Sequence, residues 1–263
     1  MKKTALITIC LFVFTSLFSQ QNYSDYFEGK RTYCSKPSDK RSLEIFDLGI
    51  KCIHQNVYLG SASQIFHDLI KTDSTFCDAY FWAGYTLKLS NDNIAAASYY
   101  YIADSLAQNK SIEFKQNLAT TCMQIGATDL ARKKYKEITE YFPSSPEGYY
   151  GIALTSTIIG DIDFGLENIN IAEKKYSTEN KDTQYLKAIL LTLNGRYWDS
   201  LKYFEESKKK YSKEDYFNGH YTLSLYEVGK SNNDENMLKL AKKHYKKVKD
   251  KDKLSEELKN KLE

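Results

Sequence analysis

The sequence is poor in the residues that interrupt helices. Its 263 residues include three prolines and 12 glycines, too few for a turn-rich β-sandwich or barrel, so an all-α chain is expected. Charge of one sign is not in surplus. The formal net charge is +3, and Lys2 and Lys3 supply two of those charges inside a segment expected to be removed. No electrostatic footprint for nucleic acid or anionic lipid remains after that. No segment beyond the first 18 residues is apolar enough to span a bilayer, so no membrane span is expected after that removal.

Signatures of catalysis are missing as well. His54, His67, His220 and His244 form no metal-spaced pair, and there is no His-Glu-x-x-His or Cys-x-x-Cys. No Gly-x-Ser-x-Gly, phosphate-binding glycine loop or dinucleotide fingerprint occurs. Asp161-Ile-Asp163 resembles part of a calcium loop, but no ladder of ligands follows it, so it reads as a turn and a helix cap. The expectation is a protein without enzymatic activity, cofactor or metal.

At the N-terminus stand Met1-Lys-Lys-Thr, an apolar run from Ala5 to Phe18, and Ser19-Gln20-Gln21. A basic start, a short greasy middle and a small residue at the exit make residues 1–19 an export signal. The pattern resembles signals of Bacteroidetes-type bacteria and implies a periplasmic or secreted product. Cys10 follows bulky Ile9 inside the apolar run, which argues against lipoprotein processing. Four cysteines remain after cleavage, and an oxidising compartment permits disulfides. Cys34, Cys52 and Cys77 are candidates for a staple near the start of the fold, with connectivity open. Cys122 falls on a helix face and reads as a small buried apolar residue. Residues 20–40 form a polar leader without helical period, expected to be partly disordered.

From residue 41 the chain keeps a beat. A small residue is followed four places on by a large apolar one, and three places later by another apolar or small one. The frame runs Ala62/Phe66/Leu69, Ala96/Tyr100/Ala103, Ala131/Tyr135/Ile138, Gly165/Ile169/Ala172 and Ser200/Phe204/Ser207, with anchors 34 or 35 residues apart. A sixth copy, Ala241/Tyr245/Val248, arrives 41 residues later. Steps of four and three lie on one helical stripe, and a fixed period near 34 means stacked helical hairpins. Gly126, Gly160 and Gly195 each precede an anchor by five residues, where a left-handed glycine ends a helix tightly. Ser42 is a plausible cap for the first helix, and Pro143 closes the third hairpin. Tyr216 to Leu225 echoes Tyr80 to Leu89, which makes Ser231–Asn236 an insertion, as a loop or as extra helical turns. Leu254, Leu258 and Leu262 mark residues 251–263 as a C-terminal capping helix.

This frame resembles the tetratricopeptide repeat (TPR) family. Within each unit the family places an aromatic at the fourth position, filled here by Tyr80, Tyr149 and Tyr216. It places small residues at the eighth, where Gly84, Ala119, Ala153 and Ala188 stand, and the anchors occupy the twentieth. The eleventh position departs, holding Leu87, Cys122, Ser156 and Leu191. The resemblance implies a right-handed α-solenoid of about six hairpins over residues 41–250. Small side chains would let paired backbones approach, so a bulky residue at Ala131 should cost more than one at Lys134, set on the solvated side.

In this family the first helix of each pair lines a concave groove that binds ligands. Carried over, that groove is lined by Phe81, Tyr85, Tyr150, Leu154, Tyr185, Ile189, Phe217 and Tyr221, with Gln116 and Thr120 departing in the third copy. Aromatic walls suit an extended peptide or an amphipathic helix, although the same rings could pack neighbouring hairpins instead. Asp78, Glu113, Glu147 and Asp182 at the second position make the groove acidic rather than a carboxylate clamp. The expected function is a non-catalytic exported scaffold holding a protein or peptide. Alternatives are a component of an envelope assembly or secretion machine, or a glycan-active or hydrolytic protein with an unfamiliar site.

Overall fold

The computed structural model describes residues 34, 37, 39–54, 58–254 and 256–262. The expected export signal and most of the leader lie outside them. Among the described residues there are thirteen α-helices, one short 3-10 helix and no strand.

The described residues divide into two compact units, one ending at Pro143 and the other beginning at Ser144. The first holds three hairpins: α1 (Lys40–His54) with α2 (Leu59–Thr72), α3 (Cys77–Leu89) with α4 (Asn93–Ala107), and α5 (Ile112–Gln124) with α6 (Thr128–Tyr141). Each hairpin packs on the next through α2 against α3 and α4 against α5. Short polar side chains set the starts of α4 and α5. Asp92 and Ser111 accept the backbone N–H groups of Ala95 and Phe114. At α1 the cap is Asp39, which accepts from Ser42 N–H at 2.8 Å, so Ser42 lies inside the helix rather than capping it.

The second unit holds α7 (Glu147–Ile159) with α8 (Ile162–Lys175), α9 (Lys181–Leu193) with α10 (Tyr197–Tyr211), and α11 (Asp215–Asn232) with α12 (Glu235–Tyr245). The 3-10 turn Lys251–Lys253 and α13 (Glu256–Leu262) follow, and α13 packs on α12 and buries Leu258 and Leu262.

The repeated frame is the core of both units. Ala62, Ala96, Ala131, Ser200 and Ala241 are all 0% exposed, and the large residue four places after each anchor is buried too. Burying such a side chain stabilises by roughly 1.5–3 kcal/mol. Serines survive at these interior sites because their hydroxyls donate to the preceding turn: Ser200 to the Tyr197 carbonyl and Ser207 to the Tyr203 carbonyl, both at 2.7 Å. Close approach is measurable at Gly84 and Gly165. A methyl on Gly84 would lie 3.2 Å from the Ala96 carbonyl oxygen, and one on Gly165 would lie 2.7 Å from the Ser156 Cβ. Gly126, Gly160 and Gly195 adopt φ of 78°, 90° and 80°, and Asn91 does the same work in the second hairpin at 62°.

The sixth hairpin resolves the insertion as extra helix. α11 has 18 residues where α7 and α9 have 13. Its residue at the level of Gly84 is the bulky His220, so the chains close further along. A methyl on Gly229 would lie 3.1 Å from the Leu238 backbone nitrogen. Gly229 and Ala241 stand twelve residues apart, as Gly84 and Ala96 do.

Candidate partner-binding face

The residues expected to line a groove are largely consumed by packing. Phe81 is 1% exposed, Tyr85 5%, Leu154 1%, Tyr185 2%, Ile189 0%, Phe217 0% and Tyr221 2%; Tyr150 alone is half-buried. The cause lies in the next first helix of each unit. Phe81 stacks on Phe114 of α5 at 4.7 Å, and Tyr185 meets Phe217 of α11 at 5.8 Å. Phe204 of α10 packs against both Phe217 and Tyr221, at 5.3 and 5.2 Å. In this structure these rings are core, and they bind neighbouring helices to one another.

Around Tyr150 a different set of groups gathers. Glu147 and Asp182 open α7 and α9, and each receives a phenol from the end of the helix that follows. Tyr176 donates to Glu147 Oε1 at 3.1 Å, while Tyr211 and Lys210 both donate to Asp182 Oδ1. Burial raises the Glu147 carboxyl above its ordinary range; the Tyr176 hydrogen bond opposes this and the Asp182 charge adds to it. Burial, then the Asp182 carboxylate, hold the Tyr150 phenol well above its usual value. These phenols therefore stay protonated and act as donors, beside carboxylates that accept. The arrangement suits hydrogen bonding to an extended segment and offers no activated nucleophile.

The sequence contained a cue to these phenols. Lys-Lys-Tyr-Ser occurs at residues 174–177 and again at 209–212, each 29 residues past a first-turn acid when counted at the tyrosine. Spacing alone did not reveal the pairing, because a tyrosine at a helix end reads as surface.

The third hairpin carries a buried ring of charge. Lys115 is 1% exposed and stands at the fourth position, which Tyr80, Tyr149 and Tyr216 fill in their copies. It lies 3.0 Å from Asp104 Oδ1 and 2.6 Å from Glu137 Oε2. Lys134 completes the ring at 2.6 Å from Asp104 and 2.9 Å from Glu137. Lys134 is thus buried at 8% exposure and not on a solvated side, because the cation at Lys115 recruits carboxylates that then need a second cation. Burial pulls the Lys134 ammonium down, and its two carboxylate hydrogen bonds outweigh that and raise it. Burial raises Glu137, and the two lysines more than offset it, leaving its carboxyl lowered. The ring lies against a cavity of about 710 Å³ whose lining mixes both signs, with Arg132, Lys133 and Lys136 beside Asp129 and Glu140.

Cys34 and Cys77 form a disulfide with Cα atoms 6.4 Å apart, and Cys34 N–H donates to the buried Asp78 at 3.1 Å. This fixes the pairing left open among Cys34, Cys52 and Cys77 and ties the leader to the start of α3. Cys52 and the buried Cys122 are free thiols. Among the described residues, Cys34, Cys77 and Asp78 make the one grouping with metal-ligand spacing, and the disulfide occupies both sulfurs. No helix among the described residues is long and apolar enough to cross a membrane.

No protein-family profile matches this sequence, and no curated protein is similar to it by sequence comparison. Solved structures supply the relation. A tetratricopeptide repeat protein from Parabacteroides merdae ATCC 43184 aligns with a TM-score of 0.61 at 14% identity, over 85% of this chain and 98% of its own. The fold is that of the tetratricopeptide repeat. MamA, from residue 41 to its end, of Desulfovibrio magneticus RS-1 aligns with a TM-score of 0.59 at 12% identity, over 66% of this chain and 96% of its own. YrrB, described as a TPR protein with an unusual peptide-binding site, aligns at 0.55 and 13% identity, over 68% of this chain and 91% of its own. Against that frame, the acids of α7 and α9 occupy the second TPR position, and Tyr150 occupies the fifth.

Proposed function

We propose that this chain is a non-catalytic, exported TPR scaffold that holds an extended segment of a protein partner. The observation that carries the reading is Tyr150, the one expected groove residue left half-buried, set beside the Glu147 and Asp182 carboxylates. The Tyr150 hydroxyl can donate, and the carboxylate oxygens that Tyr176 and Tyr211 leave open can accept, which is what peptide backbone and basic side chains need. Export is supported by the composition of residues 1–19 and by a disulfide that a reducing cytosol would not maintain.

The test is affinity capture from an envelope fraction with wild type and with Glu147→Gln/Tyr150→Phe/Asp182→Asn, read by quantitative mass spectrometry. Partners enriched by wild type should fall at least about tenfold with the triple variant, a loss of about 1.4 kcal/mol or more. Equal enrichment by both would remove the site. Cell fractionation with thiol counting addresses export separately, and a fully reduced cytosolic product would refute it.

A further inference from the structure

The extra turns of α11 help to wall a pocket against the start of α10. Between the start of α10 and the far end of α11 lies a cavity of about 330 Å³, walled by Tyr197, Trp198, Glu227, Val228 and Ser231. Val228 and Ser231 lie beyond the thirteenth residue of α11, where α7 and α9 have already ended. Trp198 is 62% exposed at the mouth, the most open aromatic ring among the described residues. A large ring left this wet forgoes burial, and such rings cluster in surfaces that are covered by a partner.

The charge at this pocket is negative. Arg196 is neutralised by Asp199, with Nε at 2.8 Å and the terminal nitrogen at 2.7 Å from Oδ2. Glu227 is half-buried and faces the phenol of Tyr197, which burial first and the Glu227 charge second push upward. Among the described residues Glu227 joins no ion pair, so its carboxylate is the pocket's surplus charge. A first-turn acid and a second carboxylate disfavour an anion at this helix start, despite the dipole. Aromatic faces beside an unspent carboxylate fit a cation on an apolar stem.

We propose that the pocket between Trp198 and Glu227 receives a basic side chain, arginine or lysine, from a protein partner. The alkyl stem lies along Trp198 and Val228, and the cationic head meets Glu227 and the Tyr197 ring. This site is independent of the Glu147–Asp182 face, so either can fail alone.

The chain has two tryptophans, and Trp82 is 1% exposed, so the indole N–H signals separate a reporter from an internal control. Titrating ¹⁵N-labelled protein with Nα-acetyl-arginine amide and Nα-acetyl-lysine amide should shift the Trp198 indole saturably while Trp82 stays fixed. Nα-acetyl-citrulline amide, which keeps the shape without the charge, should bind at least about fivefold more weakly. Glu227→Gln should weaken the arginine probe by about fivefold. Ser231→Tyr, which fills the pocket and leaves every charge, should abolish the shift. Glu147→Gln/Asp182→Asn should leave it unchanged. Equal shifts by arginine and citrulline probes, or an unaltered titration in Glu227→Gln or Ser231→Tyr, would overturn the proposal.

Discussion

His220 makes stability depend on pH in a window where few other groups titrate. Its ring is 4% exposed, neither nitrogen has a hydrogen-bond partner among the described residues, and Tyr216 packs against it edge-on at 4.3 Å. Burial lowers its pKa from 6.5 to about 4. The folded form therefore holds the proton less well than the unfolded chain. Stability from neutral His220 is fully present above pH 6.5 and is lost progressively as pH falls toward 4. Linkage between those two pKa values gives a loss of about 2 kcal/mol at pH 5, relative to pH 7. That is a large share of the 5–15 kcal/mol typical of a domain. Urea unfolding at pH 7 and pH 5, followed by circular dichroism, measures it in wild type and in His220→Leu, which keeps bulk without a titrating nitrogen. The pH-induced drop should be smaller by about 2 kcal/mol in the variant. His244, also lowered to about 4 by burial and then by nearby lysines, stays in both proteins and cancels in the comparison. Equal drops in the two proteins would show that His220 is solvated or partnered in the fold, and would refute the reasoning.

Four further outcomes follow from the packing. Gly165→Ala places a methyl 2.7 Å from the Ser156 Cβ and should cost about 1–3 kcal/mol by thermal or urea unfolding, with partial recovery in Ser156→Gly/Gly165→Ala. Lys115→Met should cost about 2–4 kcal/mol, and Lys115→Met/Asp104→Leu should cost less than the sum of the single changes, because the stranded carboxylate is removed. Glu147→Gln should raise the melting temperature at neutral pH, since a carboxyl raised in the fold pays its desolvation only once ionised; the gain should vanish below the ordinary carboxylate range. Ala131→Trp, at a site 0% exposed, should lower the melting temperature far more than Lys133→Trp on the exposed face, and equal effects would refute the register.

The hairpin array was legible because its determinants are local and small. Ala96, Ala131 and Gly165 recur at fixed spacing whatever surrounds them, and helix ends were marked by Gly126, Gly160, Gly195 and Pro143. The charge ring was not legible. A lysine in a helical pattern reads as solvated, and only contact with Asp104 and Glu137 from other turns makes Lys115 and Lys134 core residues. The eight groove residues that the family resemblance implied lie on the first helices of their hairpins. Whether a first-helix ring faces solvent or the next hairpin depends on how closely hairpins nest, and Phe114 and Phe217 close that space here. The phenols of Tyr176 and Tyr211 were hidden because each pairs with the acid that opens its own hairpin, too far back along the chain for a helical pattern to show.

The ring of Asp104, Lys115, Lys134 and Glu137 also limits how this array could change by gain or loss of modules. One carboxylate belongs to the second hairpin and its three partners to the third, so these two units are matched and cannot be shuffled. Excising the third would leave Asp104 facing an aromatic in place of an ammonium, and duplicating it would bury two lysines against the wrong neighbour. A lineage carrying this ring could lengthen or shorten only elsewhere.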